Sequence, residues 1–238
     1  MKLKDRIKPV AEMAADYGAT FLIYGDPGIG KTTAAGTIPG KTLIIDIDGG
    51  SQVLRACDHV DILTIHEDME GWKELFNEIH VIADDYDTIV LDNLSELEKY
   101  MLVVLAESGK NEGVPEMRHY QRVQFALRDT ARKLRDLRED GKNVIINAWS
   151  MALEIEQAEG VIKTLQAPMI SKKISSELCG LFDIVGYMRI RKNKEGENIR
   201  VIELASSESF IAKNRYGSPD ACSPDLGKLI EHINKDGK

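Results

Sequence analysis

Short apolar runs recur along the first two thirds of the chain: TFLIY at 20–24, TLIIDI at 42–47, DILTI at 61–65, TIVLDN at 88–93 and NVIINA at 143–148. Continuous apolar runs of this length predict short strands buried on both faces. Between them the apolar period changes to that of a helix. Trp72, Leu75, Phe76, Ile79 and Ile82 recur at helical spacing, and Val123, Leu127, Thr130, Leu134 and Leu137 alternate steps of four and three within a helix expected from about Met117 to Glu139. Alternating strand and helix predict an α/β fold: a mostly parallel sheet flanked by helices. The final third differs. LFDIVGYMRI (181–190) and NIRVIELAS (198–206) flank the charged turn KNKEGE and predict an antiparallel hairpin at the C-terminal edge of the sheet. Two long irregular stretches, 107–116 and 151–171, follow core strands, a placement typical of functional loops.

At 238 residues the chain can bury one sizeable core, so it is read as one domain over 1–238, with an N-terminal helix at 1–18, a core at 19–217 and a C-terminal helix at 218–238. It contains no run of about 18 apolar residues. Charges scattered through MKLKDRIKPVAEMAADYG do not fit a signal peptide. Cys57, Cys179 and Cys222 lack CxxC spacing, against a disulfide framework or zinc site, and a reducing cytoplasm is expected. The formal charge of −8 weighs against indiscriminate nucleic-acid binding while allowing a local basic groove.

The chemistry centres on Gly25-Asp26-Pro27-Gly28-Ile29-Gly30-Lys31-Thr32, a full match to G-x-x-x-x-G-K-[ST] between a strand and a helix. Glycines at 25, 28 and 30 permit the backbone angles that aim N–H groups at phosphate oxygens, and the helix beginning KTTAAGTI adds a favourable dipole. Lys31 is expected at the β- and γ-phosphates of ATP, the Thr32 hydroxyl on Mg²⁺, and Thr33 at the end of the cradle. A second carboxylate near the metal is expected at a strand end, and TIVLD places Asp92 there. Asp92 also suits capping the helix that starts near Leu94.

The strand after the phosphate-loop helix ends Ile44-Ile45-Asp46-Ile47-Asp48-Gly49-Gly50. This placement resembles RecA-like recombinase ATPases, which usually carry Glu there; the resemblance implies that Asp48 orients the attacking water, with Asp46 as competitor. Ala212-Lys213-Asn214-Arg215-Tyr216-Gly217 is similar to the K-N-R-F-G segment of the RadA/Sms branch, with Tyr for Phe. There the basic residues act on a neighbouring subunit's nucleotide, which implies such a role for Lys213 and Arg215; a simple turn shaped by Asn214 and Gly217 is the alternative. The strand NVIINA with Trp149-Ser150 occupies the position of a polar γ-phosphate sensor, leaving Asn147 and Ser150 as candidates. From Thr20 to Gly217 the chain most resembles phage-encoded RecA-like ATPases of single-strand annealing recombination. That implies a homo-oligomer, ring or filament, on single-stranded DNA, with a phage single-strand-binding protein or nuclease as companion.

In such proteins, loops after the second-carboxylate helix and after the sensor strand contact DNA, here 107–120 and 151–173. The latter reads as a protruding hairpin ending in Lys172 and Lys173, which can neutralise phosphates, although Glu154, Glu156 and Glu159 oppose them. Arg128, Arg132 and Arg135 cluster on one side of their helix, a strip that either tracks a nucleic-acid backbone or is a solvated face paired with Asp129, Asp136 and Glu139. A nucleotide-switched regulatory or partner-loading protein and a small-molecule kinase remain the alternatives.

Overall fold

The computed structural model describes residues 7, 9, 17–111, 113–156, 162–217 and 219–236. The expected runs form strands β1 (Thr20–Gly25), β2 (Thr42–Asp46), β3 (Val60–Thr64), β4 (Thr88–Asp92) and β5 (Asn143–Ala148). Between and after them lie helices α1 (Lys31–Ala35), α2 (Met69–Ala83), α3 (Leu94–Glu107), α4 (Met117–Asp136), α5 (Lys172–Leu181) and α6 (Leu226–Asp236). Beyond β5 come β6 (Ser150–Glu156), β7 (Ile162–Pro168), β8 (Ile184–Lys192), β9 (Asn198–Glu203), β10 (Lys213–Asn214) and β11 (Ala221–Cys222).

The main sheet runs β11-β9-β8-β1-β5-β4-β2-β3, with β10 also on β8. Pairings from β8 through β1, β5, β4 and β2 to β3 are parallel, while β8–β9, β8–β10 and β9–β11 are antiparallel. The sheet is therefore mostly parallel with an antiparallel C-terminal edge, and the expected hairpin is β8–β9. The stretch 151–171 forms a second hairpin, β6–β7, whose tip, including Glu159, lies outside the described residues. The helix expected at 1–18 falls almost wholly outside them too.

Alternation along the strands builds the two cores. Leu22, Tyr24, Leu43, Ile45, Leu91 and Ile146 face α2, α3, α4 and α5, which contribute Trp72, Leu97, Leu127 and Leu178. Phe21, Ile23, Ile44, Val90 and Ile145 face the other way, onto Ala34, Ala35 and Ile38 around α1 and Leu229, Ile230 and Ile233 of α6. Fully burying each large side chain contributes about 1.5–3 kcal/mol, so helices on both faces are what make continuous apolar strands stable. β3 departs from the doubly buried reading. It closes the sheet edge, leaves Asp61 and Ile62 exposed, and hydrogen-bonds Asp61 to the Tyr86 hydroxyl at 3.0 Å. Leu181, read as strand, ends α5 instead, and a 3-10 turn from Leu137 to Asp140 follows α4.

Candidate functional site: a phosphate loop and two carboxylates

Because β1, β5, β4 and β2 run parallel, their C-terminal ends open on the same crevice, the usual ligand site of such sheets. The phosphate loop leaves β1 there. Gly25 is required by close approach, since a Cβ would sit 2.4 Å from the Met188 carbonyl oxygen on β8. Gly28 and Gly30 take φ of 76° and 108°, the left-handed region that side chains avoid. Lys31 folds its ammonium back over the loop, donating to the carbonyls of Gly25 (2.9 Å) and Asp26 (3.0 Å). Burial pulls its pKa below the usual lysine range against the pull of Asp92, Asp48 and Asp26.

Asp92 ends β4, one strand beyond β5, and the Thr32 hydroxyl donates to its Oδ2 at 2.6 Å. Burial pushes the Asp92 carboxyl up to about 6. Asp48 adds to that rise, while the Thr32 hydroxyl, Asn147 and Lys31 oppose it. Asn147 is wholly buried on β5, near enough to Asp92 to help hold its charge, yet neither atom of its amide has a partner in hydrogen-bond geometry. Asn93 caps α3 by accepting from the Glu96 N–H at 2.9 Å, and its amide donates to Asp48 Oδ2. The expected cap of α3 is thus Asn93 and not Asp92.

The two strand-end aspartates separate cleanly. Asp46 is buried and accepts from the backbone N–H groups of Gly49 (2.8 Å) and Ser51 (3.1 Å), so it shapes the turn after β2. Asp48 is exposed into the crevice. It lines a cavity of about 650 Å³ together with Gly28, Lys31, Thr32, Asp92, Glu96 and Trp149. Ser150 donates its hydroxyl to Asp26 of the loop.

The remaining expected residues lie elsewhere. Lys213 donates to the carbonyls of Cys179 (3.2 Å), Gly180 (3.0 Å) and Phe182, satisfying the end of α5. Arg215 donates to Asp183 Oδ1 at 2.9 Å and to the Gly180 carbonyl, and Asn214 and Gly217 shape the turn beside them. β10 pairs with the start of β8, so both cations lie at the sheet end opposite this chain's own phosphate loop. Arg128 and Arg132 both pair with Glu177 of α5, at 2.6 and 2.8 Å, and Arg135 pairs with Asp136. Each arginine of the strip is therefore ion-paired, two of them sharing Glu177 on a neighbouring helix and the third on Asp136 of their own. Lys172 and Lys173 are exposed on the first turn of α5. Asn93, Glu96 and Trp149 were missed; the position of Asn93 directly after a strand-end Asp was the available signal.

The donor set fits Mg²⁺ with a nucleotide. Among the described residues no cluster of three His, Cys, Asp or Glu side chains gathers to hold a metal. Mg²⁺ characteristically takes one or two protein oxygens and completes its shell with substrate phosphates and water, as Thr32 and Asp92 allow. Asn147, buried beside Asp92 and without a partner in hydrogen-bond geometry among the described residues, supplies a polar group at the same place.

A phosphate loop on the first strand, an inserted strand and a carboxylate on the next define a P-loop nucleoside triphosphatase fold. A family model described as an AAA domain matches residues 17–216, and the chain belongs to that family. No curated protein matches it. No helix among the described residues is long and apolar enough to cross a membrane.

Proposed function

We propose that this chain is a Mg²⁺-dependent ATPase of RecA-like type that acts as a homo-oligomer on single-stranded DNA, in phage recombination, annealing or repair. The observation that carries the ATPase reading is the meeting of Thr32 and Asp92 at 2.6 Å in the cavity that also holds Lys31 and Asp48. Loop N–H groups and Lys31 would hold the phosphates, and Thr32 and Asp92 would hold the metal. Bound Mg²⁺ would neutralise charge on the β- and γ-phosphates. Asp48, fixed by Asn93 and by the Gly50 N–H at 3.0 Å, orients and deprotonates the attacking water. In this reading Ser150, bonded to Asp26 of the loop, and Asn147, buried beside Asp92, are the candidates for sensing the γ-phosphate.

The DNA and oligomer parts draw on the resemblance and on exposed Lys172 and Lys173 beside the β6–β7 hairpin. In this reading the half-exposed Arg215 side chain, 48% accessible, reaches toward a neighbouring copy. The pairing of Arg128 and Arg132 with Glu177 favours a second reading, a nucleotide-switched partner-loading protein. Phosphate release measured with and without single-stranded DNA decides between them. Mg²⁺-dependent turnover that rises with DNA supports the proposal, and unstimulated turnover without DNA binding leaves the second reading.

A further inference from the structure

The β8–β9 hairpin carries Arg189, Arg191 and Arg200, and strand alternation divides them. Arg189 and Arg191 share a face and converge on the buried Glu203 carboxylate, at 2.9 and 3.3 Å from Oε1. Arg200 lies opposite Ile190, on the other face, in line with Met188 and Ile202, which pack into the core beneath α1. That face looks onto the phosphate loop: a Cβ built on Gly30 would lie 3.8 Å from Arg200 Nη1. Arg200 is exposed and makes no hydrogen bond or ion pair with any described residue. Two arginines of one hairpin thus share one carboxylate, and the third is left beside the loop.

The cavity around that loop is short of positive charge. Its lining includes Asp48, Asp92 and Glu96, and Lys31 is its only Lys or Arg among the described residues. The sheet order places β8 and β9 on one side of β1, and β5, β4 and β2 on the other. Asp92 and Asp48 therefore approach the loop from one flank and Arg200 from the opposite one. In the ATPase reading the carboxylate flank takes the metal and the terminal phosphate, so the nucleoside-side phosphate lies toward Arg200.

Resting on that reading, we propose that Arg200 is a nucleotide-binding residue acting in cis, its guanidinium holding the α-phosphate of the nucleotide seated in its own chain's loop. A guanidinium fork matches two phosphate oxygens and stays charged at any working pH. Dissociation constants for Mg-ATP and Mg-ADP, by calorimetry or Trp149 fluorescence, test it in wild type, Arg200→Ala, Arg200→Lys and Lys31→Ala. An exposed side chain with no hydrogen bond or ion pair to any described residue contributes little to folding, and an unchanged melting temperature in Arg200→Ala verifies this. Arg200→Ala is expected to weaken ATP and ADP alike, by about tenfold or more, as for a charged hydrogen bond. Arg200→Lys should recover part of the loss. A loss for ATP alone would overturn the α-phosphate assignment, and a loss that Lys does not relieve would overturn a charge contact. Unchanged affinities in Arg200→Ala with weakened binding in Lys31→Ala overturn the role of Arg200 and leave the ATP site standing. A wild-type chain that binds neither nucleotide overturns both.

Discussion

Asp46 and Asp48 lie two residues apart with opposite surroundings, so replacing each by Asn should separate folding from catalysis. Asp46 gives both carboxylate oxygens to backbone N–H groups in a buried turn. Asn keeps one acceptor and turns an NH₂ toward the other donor, losing one charged hydrogen bond of about 1.5–3 kcal/mol. At ~2–4 °C per kcal/mol for a chain of this size, Asp46→Asn should melt roughly 3–12 °C lower. Asp48 is exposed and its bonds from Asn93 and the Gly50 N–H are at most partly buried, so its Asn variant should melt closer to wild type than Asp46→Asn and keep its Mg-ATP affinity. Its effect belongs to the transition state: kcat should fall by about 10²-fold or more, the range of a lost general base, with KM little changed. Thermal melting by circular dichroism and steady-state phosphate release, on the same preparations, give both numbers. If Asp48→Asn retains wild-type kcat while Asp46→Asn abolishes turnover in folded protein, the assignment is reversed and the reasoning fails.

Asp183 accepts from Thr20, Arg138 and Arg215 with its side chain only 10% exposed. Asp183→Ala should therefore destabilise by about 3 kcal/mol, seen as a lower denaturant midpoint at unchanged m; a surface-like loss would deny the network its role. If Arg215 also reaches a neighbour's nucleotide, mixing Arg215→Ala with Lys31→Ala chains should restore part of the turnover each lacks. A dead mixture, under conditions where mixed oligomers are demonstrated, would leave Arg215 to Asp183 alone. Lys172→Ala with Lys173→Ala should make the salt slope of single-stranded DNA binding shallower by roughly 1.4, at ~0.7 per phosphate contact. An unchanged slope would move the DNA site elsewhere.

The layers, the parallel strands and the phosphate loop were legible because each rests on local pattern. Apolar runs specify buried strands, helical periods specify the covering layers, and Gly25, Gly28 and Gly30 answer to backbone geometry at their own positions. β3 was misjudged because an edge strand is defined by what fails to pack on it, which its own DILTI run does not record. The rivalry between Asp46 and Asp48 could not be decided from composition, since two identical side chains differ only in which N–H groups the turn offers them. Lys213 and Arg215 show the same limit. Their segment was read both as a finger and as a turn, and only the fold reveals the α5 carbonyls and Asp183 beside them. Arg128 and Arg132 of the strip on α4 meet on one counter-charge, Glu177, from a helix 45 to 49 residues away in sequence, which the local pattern could not show.

On the function proposed above, the loop from Gly25 to Thr33 hydrolyses ATP with Lys31 as its phosphate cation. The most direct test is phosphate release by purified wild type and Lys31→Ala at saturating Mg-ATP, each shown to be folded. Among the described residues Lys31 donates only to loop carbonyls, so its replacement should leave the melting temperature close to wild type while Mg²⁺-dependent turnover falls to background. Wild-type turnover in folded Lys31→Ala would remove hydrolysis from this loop.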